Sequence, residues 1–256
     1  MNSNFEEIDD VASSQTFNQL GILCLDGSGS MTLEGNRGQT LAESVNLAVR
    51  EFLGFFKKSS IVNNFSIAVI TFDSMPAIHT PITRLVDIED FANYDPTVGH
   101  GGRTNIGAAL EKAEEIAKDF LNKSGASGIP SSVSVVVMSD GMCDYPQETK
   151  RVAERLKKID KITICSSFFS SKHVGDSDRK QAQQDLQDIA SGVNFYKTTY
   201  DAEDLRKFFI ASMSTSKYGE PAAGTSSGVS APKSSGVPAS TSLSNSNADD
   251  EFSFDF

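Results

Sequence analysis

Short, strongly apolar runs alternate along this chain with helix-length amphipathic segments, and that alternation restricts the fold more than any other feature. The runs are Leu20 to Leu25, Phe65 to Phe72, Val133 to Met138, Ile162 to Phe169 and Val193 to Tyr196. Each is brief enough for a buried strand. Between them, Thr40 to Lys57 places Leu41, Val45, Ala48, Val49, Phe52 and Phe56 on one helical face. Ile106 to Leu121 does the same with Ala109, Leu110, Ala113, Ile116, Ala117 and Phe120. Further helices fit Pro146 to Ile159, about Asp178 to Ala190, and Ala202 to Ser212, with Pro146 in a first turn and Asp201 as an N-cap. Met75 to Arg84, which contains Pro76 and Pro81, reads as an edge strand. Strand and helix in alternation call for right-handed crossovers. The expected fold is therefore α/β and doubly wound: a mostly parallel six-stranded sheet, helices on both faces, and one antiparallel edge strand.

That pattern occupies residues 18–213. The preceding residues 1–17 read as a flexible segment. After Tyr218, residues 219–247 are nearly all Ser, Gly, Ala, Pro and Thr, the composition of a disordered linker. Residues 248–256 form an acidic tip in which Phe252, Phe254 and Phe256 sit among four acids.

Charge narrows the function classes. The 34 acidic residues exceed the 23 basic ones, and a formal charge of −11 repels phosphate backbones and anionic headgroups. Direct nucleic-acid or membrane binding is not expected. No apolar run approaches bilayer length and no signal sequence opens the chain, so a cytoplasmic location is expected. Three cysteines, Cys24, Cys143 and Cys165, cannot all pair and lack zinc-site spacing.

The chemistry concentrates in three loops. The first apolar run leads directly into Asp26-Gly-Ser28-Gly-Ser30, which puts a carboxylate and two hydroxyls beyond a strand's carboxyl end. The spacing is weak by itself in a serine-rich chain. Its position is specific, because ligands of open α/β sheets bind beyond the carboxyl ends of the strands. A second loop brings Thr104 ahead of a helix, and the run ending at Met138 leads into Ser139-Asp140-Gly141. Hydroxyls and carboxylates are hard ligands, suited to Mg2+ first, or to Mn2+ or Ca2+.

Taken together, Asp26-x-Ser28-x-Ser30, then Thr104, then Asp140 resemble the metal-ion-dependent adhesion site (MIDAS) of the von Willebrand factor A (VWA) domain family. Met31, the Gly102-x-Thr104-x-Ile106-Gly-x-Ala-Leu110 loop and Met138-Ser-Asp-Gly141 extend the likeness. Within that family the chain looks like the bacterial tellurium-resistance type. The resemblance implies a VWA/Rossmann-like fold in which Ser28, Ser30 and Thr104 contact the metal directly or through water, and Asp26 and Asp140 act largely through water. A partner's Asp or Glu then takes the open position. The expected activity is non-enzymatic metal-dependent protein binding, in a bacterial stress-response or tellurium-resistance-like complex.

Other residues carry simpler expectations. Thr104 is expected to cap the following helix as well as to face the metal. Asp73 reads as a turn residue, His100 and Arg103 as solvated rim residues, and Cys143 as an inert loop thiol. A carboxylate beside Mg2+ also resembles aspartate-nucleophile phosphatases, but those need a second acid two residues on, where Ser28 stands. The tip at 248–256 resembles the tails of bacterial single-stranded-DNA-binding proteins. It suggests a second partner, an accessory role in DNA maintenance, or a self-contact with the metal.

Overall fold

Residues 16–35, 38–170 and 175–214 are described by a computed structural model. The linker and tip expected at 219–256 lie outside these residues. So do residues 1–15, whereas Phe17 packs edge-on against Phe65, with ring centroids 5.5 Å apart.

Six strands form one sheet: β1 (Asn18–Asp26), β2 (Phe65–Phe72), β3 (Pro76–Arg84), β4 (Ser131–Ser139), β5 (Ile162–Phe169) and β6 (Tyr196–Thr199). Their order is β3-β2-β1-β4-β5-β6. All neighbours are parallel except β2 and β3, which run antiparallel with register shifts near Val69. Pro76 and Pro81 fall on this outer strand, where a missing N–H costs no ladder bond.

The helices are α1 (Leu41–Lys57), α2 (Ile106–Gly125), α3 (Pro146–Lys157), α4 (Asp176–Ile189) and α5 (Ala202–Ser214). Period-two alternation along the central strands splits the interior into two cores. Leu20, Ile22 and Cys24 of β1 join Val133, Val135 and Val137 of β4 under α2, α3 and α4. Leu23 and Leu25 join Val136 and Met138 under α1 and α5, where Phe52 meets Phe209 at 5.9 Å.

Local signals account for the helix starts. Thr40 caps α1 in a capping box: its hydroxyl accepts from Glu43 N at 3.1 Å, and Glu43 accepts from Thr40 N at 2.8 Å. Pro146 opens α3, and Asp201 accepts from Asp204 N at 3.0 Å at the head of α5.

Two expectations need correction. The run Val193 to Tyr196 is not a strand. Val193–Phe195 is a short 3-10 turn with Val193 74% exposed, and β6 starts at Tyr196. A four-residue edge strand buries too little for its apolar pattern to mark its register. Thr104 also does not cap α2, because Asn105 does so, its side chain accepting from Ala108 N at 3.1 Å.

Candidate metal centre

β1 lies centrally, with β2 on one side and β4 on the other, so the chain reverses its winding direction at the carboxyl end of β1. A crevice opens at such a switch point. Asp26 ends β1 and Asp140 follows β4, which brings two carboxylates that are 114 positions apart in the chain to this one place.

Both are fully buried, and their surroundings are polar. Asp26 Oδ1 accepts from Ser28 N at 2.8 Å, and Oδ2 accepts from Ser139 Oγ at 2.5 Å. Ser28 and Ser30 meet through their hydroxyls at 3.1 Å, and Ser30 Oγ donates to Asp140 Oδ1 at 2.8 Å. Asp140 Oδ2 is buried and has no hydrogen-bond partner among the described residues. Burial, and after it the charge of Asp140, push the Asp26 carboxyl up to about 7. Asp140 is raised as well, by burial. The desolvated pair resists holding two negative charges unless a cation is shared between them.

The Asp26 loop is pinned on both sides. Met31 is fully buried in the core beneath α1, and Gly27 N donates to Phe72 O at 2.7 Å. A Cβ on Gly27 would lie 2.0 Å from Pro96 O, so only glycine allows the 96–100 loop to pass this close. That loop turns at Gly99, whose φ of +78° lies in the left-handed region that favours glycine.

Thr104 is buried at the same rim, held there through its backbone. Asp144 Oδ2 accepts from Thr104 N at 2.8 Å, and Thr104 O accepts from Asp144 N at 2.9 Å. Gly29 N donates to Gly102 O at 3.1 Å, tying this loop to the serine loop. Among the described residues no hydrogen bond joins the Thr104 hydroxyl to the other four side chains. With Asn105 taking the cap, that hydroxyl is not engaged in starting α2.

Residues read as incidental from sequence turn out to build this rim. Asp73 Oδ2 accepts from Gly101 N at 3.2 Å and Gly102 N at 2.9 Å, and Oδ1 accepts from Met75 N at 3.1 Å. Partial burial alone raises its carboxyl, but these amides and His100 outweigh that and lower it to about 2. The His100 side chain is 7% exposed rather than solvated: its ring bridges Thr71 Oγ1 at 2.9 Å and Asp73 Oδ1 at 3.3 Å. Arg103 is exposed and forks onto Asp144 Oδ1 at 2.9 and 2.7 Å. The signal available in the sequence was placement alone, Asp73 directly following β2 and Asp144 four residues after Asp140. Cys143 is buried, with its sulfur 3.1 Å from Thr149 Oγ1.

No three His, Cys, Asp or Glu side chains converge as a metal-binding group among the described residues. The arrangement is instead two carboxylates with hydroxyls, on the rim of a doubly wound sheet.

The mostly parallel six-stranded sheet, with one antiparallel edge strand and helices around it, is a VWA/Rossmann-like fold. Residues 22–142 match the family model for the von Willebrand factor type A domain. Solved structures agree on the fold. The pilus adhesin SpaC from Lactobacillus rhamnosus GG superposes with a TM-score of 0.58 at 13% identity, over 75% of this chain and 30% of that one. The vWF domain of the type V pili tip protein Mfa5 from Porphyromonas gingivalis gives 0.54 at 12% identity, over 76% and 93%. Proximal thread matrix protein 1 from the mussel byssus, solved with a zinc-occupied MIDAS motif, gives 0.53 at 17% identity, over 77% and 48%. The chain thus spans under a third of the adhesin's length and about half of the byssus protein's. No curated protein matches the sequence significantly.

Proposed function

We propose that Asp26, Ser28, Ser30, Thr104 and Asp140 hold a divalent cation and that the domain binds proteins through it, without catalysing a reaction. The observation that carries this reading is the buried, unpartnered Oδ2 of Asp140, beside a second buried carboxylate and two hydroxyls. A buried carboxylate oxygen left without a donor costs about 1–3 kcal/mol, a cost that a cation would remove. The donors are all hard oxygens, which favours Mg2+, then Mn2+ or Ca2+. The cation, when bound, supplies a positive centre that two carboxylates and neutral hydroxyls leave able to accept one more anionic oxygen. We assign that position to an Asp or Glu side chain of a partner protein.

Asp73, Asp144 and Arg103 hold the threonine loop in place, and Ser139 orients Asp26. These groups set the spacing of the rim. Ser28 stands where an aspartate-nucleophile phosphatase needs its second acid, which disfavours the enzyme reading. The three cysteines are free and buried, Cys24 and Cys165 having thiols pushed by burial up to about 12 and 11. Inert, unpaired thiols support a reducing compartment and so a cytoplasmic site of action, in keeping with a stress-response complex of the tellurium-resistance type.

The test is calorimetric titration of Mg2+ and Mn2+ into wild type and Asp26→Ala. It is paired with affinity capture of partners in Mg2+ and in EDTA. Saturable binding lost in the variant, and partners lost in both EDTA and the variant, are expected. Metal-dependent phosphate-ester hydrolysis abolished by the same substitution would overturn the non-enzymatic reading.

A further inference from the structure

A cavity of about 380 Å³ lies between the second half of α1 and the segment that follows the 3-10 turn Leu85–Asp87. Its volume is in the range of small-molecule sites. One wall is Arg50, Leu53, Gly54, Lys57 and Lys58, which recur at helical spacing and so share one face over about 12 Å of helix axis. Glu89, Asp90 and Tyr94 form the other wall. None of these residues is a candidate metal ligand.

Two lining residues are not accounted for by packing. Inside a helix glycine is less favourable than alanine, and it serves where something must approach the backbone closely. No part of the fold makes that approach at Gly54: beyond its own stretch of helix, nothing lies within 4 Å of a Cβ built there. The helix backbone is left open to the cavity. Tyr94 is 1% exposed and its N–H donates to Asn46 Oδ1 at 2.9 Å, yet among the described residues no hydrogen bond reaches its hydroxyl. Burial, and after it the charge of Glu89, raise the phenol, so the hydroxyl keeps its proton and can donate.

The two ends of the cavity differ in chemistry. At the end of α1, Lys57 donates to Ile88 O and pairs with Asp90, while the exposed Lys58 beside it pairs with no carboxylate among the described residues. A carboxylate already sits at Lys57, so an incoming group gains there by carrying more charge than a carboxylate does. A phosphate monoester carries about −1.5 to −2 near neutral pH, and lysine binds it as a point charge. Tyr94 is tied to Asn46, about three turns earlier on α1. There the Tyr94 hydroxyl donates and Glu89 accepts, a combination that suits hydroxyl groups, which do both.

We propose that this cavity binds a small phosphorylated molecule rich in hydroxyls, a sugar phosphate or a nucleotide, with its phosphate at Lys57 and Lys58, its body against the backbone at Gly54 and its hydroxyls at Tyr94 and Glu89. The site stands apart from the metal centre and does not rest on the metal-binding reading.

The test is calorimetric titration of the full chain with inorganic phosphate, ribose phosphate and AMP, with EDTA present throughout so that the outcome is independent of the metal centre. Saturable binding of ribose phosphate or AMP is expected, about tenfold or more tighter than that of inorganic phosphate. Tighter binding of AMP than of ribose phosphate assigns a nucleotide, and equal binding assigns a sugar phosphate. Tyr94→Phe and Lys58→Gln should each weaken the binding by about threefold to tenfold. Gly54→Gln places a helix-favouring side chain in the cavity, so it should raise the thermal midpoint of the ligand-free protein and abolish the binding. No saturable binding of either organic probe at millimolar concentration overturns the site. So does inorganic phosphate binding as tightly as the organic probes, or binding that survives Gly54→Gln unchanged. A lowered midpoint in Gly54→Gln would assign Gly54 to packing and overturn it as well.

Discussion

Asp26 meets two opposed demands, burial at the end of the central strand and a charge that a cation needs. Without a cation its carboxyl is held up at about 7 by burial and by Asp140. The unfolded chain releases this proton near the ordinary aspartate value, about 4. Between about 4 and 7 the folded state therefore holds the extra proton, and the cation-free protein loses stability as pH rises. Urea unfolding in EDTA should show wild type more stable at pH 5 than at pH 7.5, with a flatter profile for Asp26→Asn. Saturating Mg2+ should restore stability mainly at the higher pH. At 100-fold excess over the dissociation constant the gain is about 2.7 kcal/mol, and no gain with Mg2+ at pH 7.5 would count against the metal centre. Gly27 is as exacting in a different way. Gly27→Ala drives a Cβ against the Pro96 carbonyl, so both stability and cation affinity should fall, as read by thermal unfolding and calorimetry.

At the scale of elements, the loop before α2 is held by groups outside itself. Asp73 after β2 accepts two of its backbone amides, and Asp144 before α3 binds Thr104 on both its N–H and its carbonyl. Asp73→Ala removes the acceptor of these solvent-exposed amides, which should cost about 0.5–1.5 kcal/mol in urea unfolding and weaken cation binding through Thr104. Thr40→Ala is the matched control. It breaks the capping box of α1 and should cost about 1 kcal/mol with cation affinity unchanged. Equal losses of affinity in the two variants would mean that Asp73 acts on global stability and not on the rim. Sequence reading assigned Asp73 to a turn and His100 to solvent because neither lies in a periodic pattern. Asp73 meets Gly101 and Gly102, 28 and 29 positions away, and His100 meets Thr71 and Asp73, 29 and 27 positions away, and no local signal records those contacts.

At the scale of the molecule, two cores clamp the sheet from both faces, and the rim at the carboxyl end of β1 buries two carboxylates beside serine hydroxyls. α1 and α5 share one core through Phe52, Phe56 and Phe209. Phe52→Ala should cost about 3–5 kcal/mol by the usual transfer and cavity terms, measured by denaturant unfolding. The rim stands on strands anchored by the same core, so cation affinity should persist while that variant remains folded. A parallel loss of cation binding in the folded variant would show that the rim depends on α1 packing.

The sequence by itself determined the elements with strong periodicity. β2 and β5 begin and end where their apolar runs do, and α1 starts one residue after its predicted first position because Thr40 is the cap. It offered the candidates proposed to ligate a hard cation, because chemical type and position after a strand are both local. Only the tertiary structure decided which of those groups meet. The convergence of Asp26 with Asp140 follows from the order β2-β1-β4, which depends on nonlocal pairing. The same holds for the unpartnered oxygen of Asp140 and for the bracing of Thr104 by Asp73 and Asp144. Periodicity reports which face of an element is buried. It does not report what lies across the crevice, and the chemistry of this site depends on what lies there.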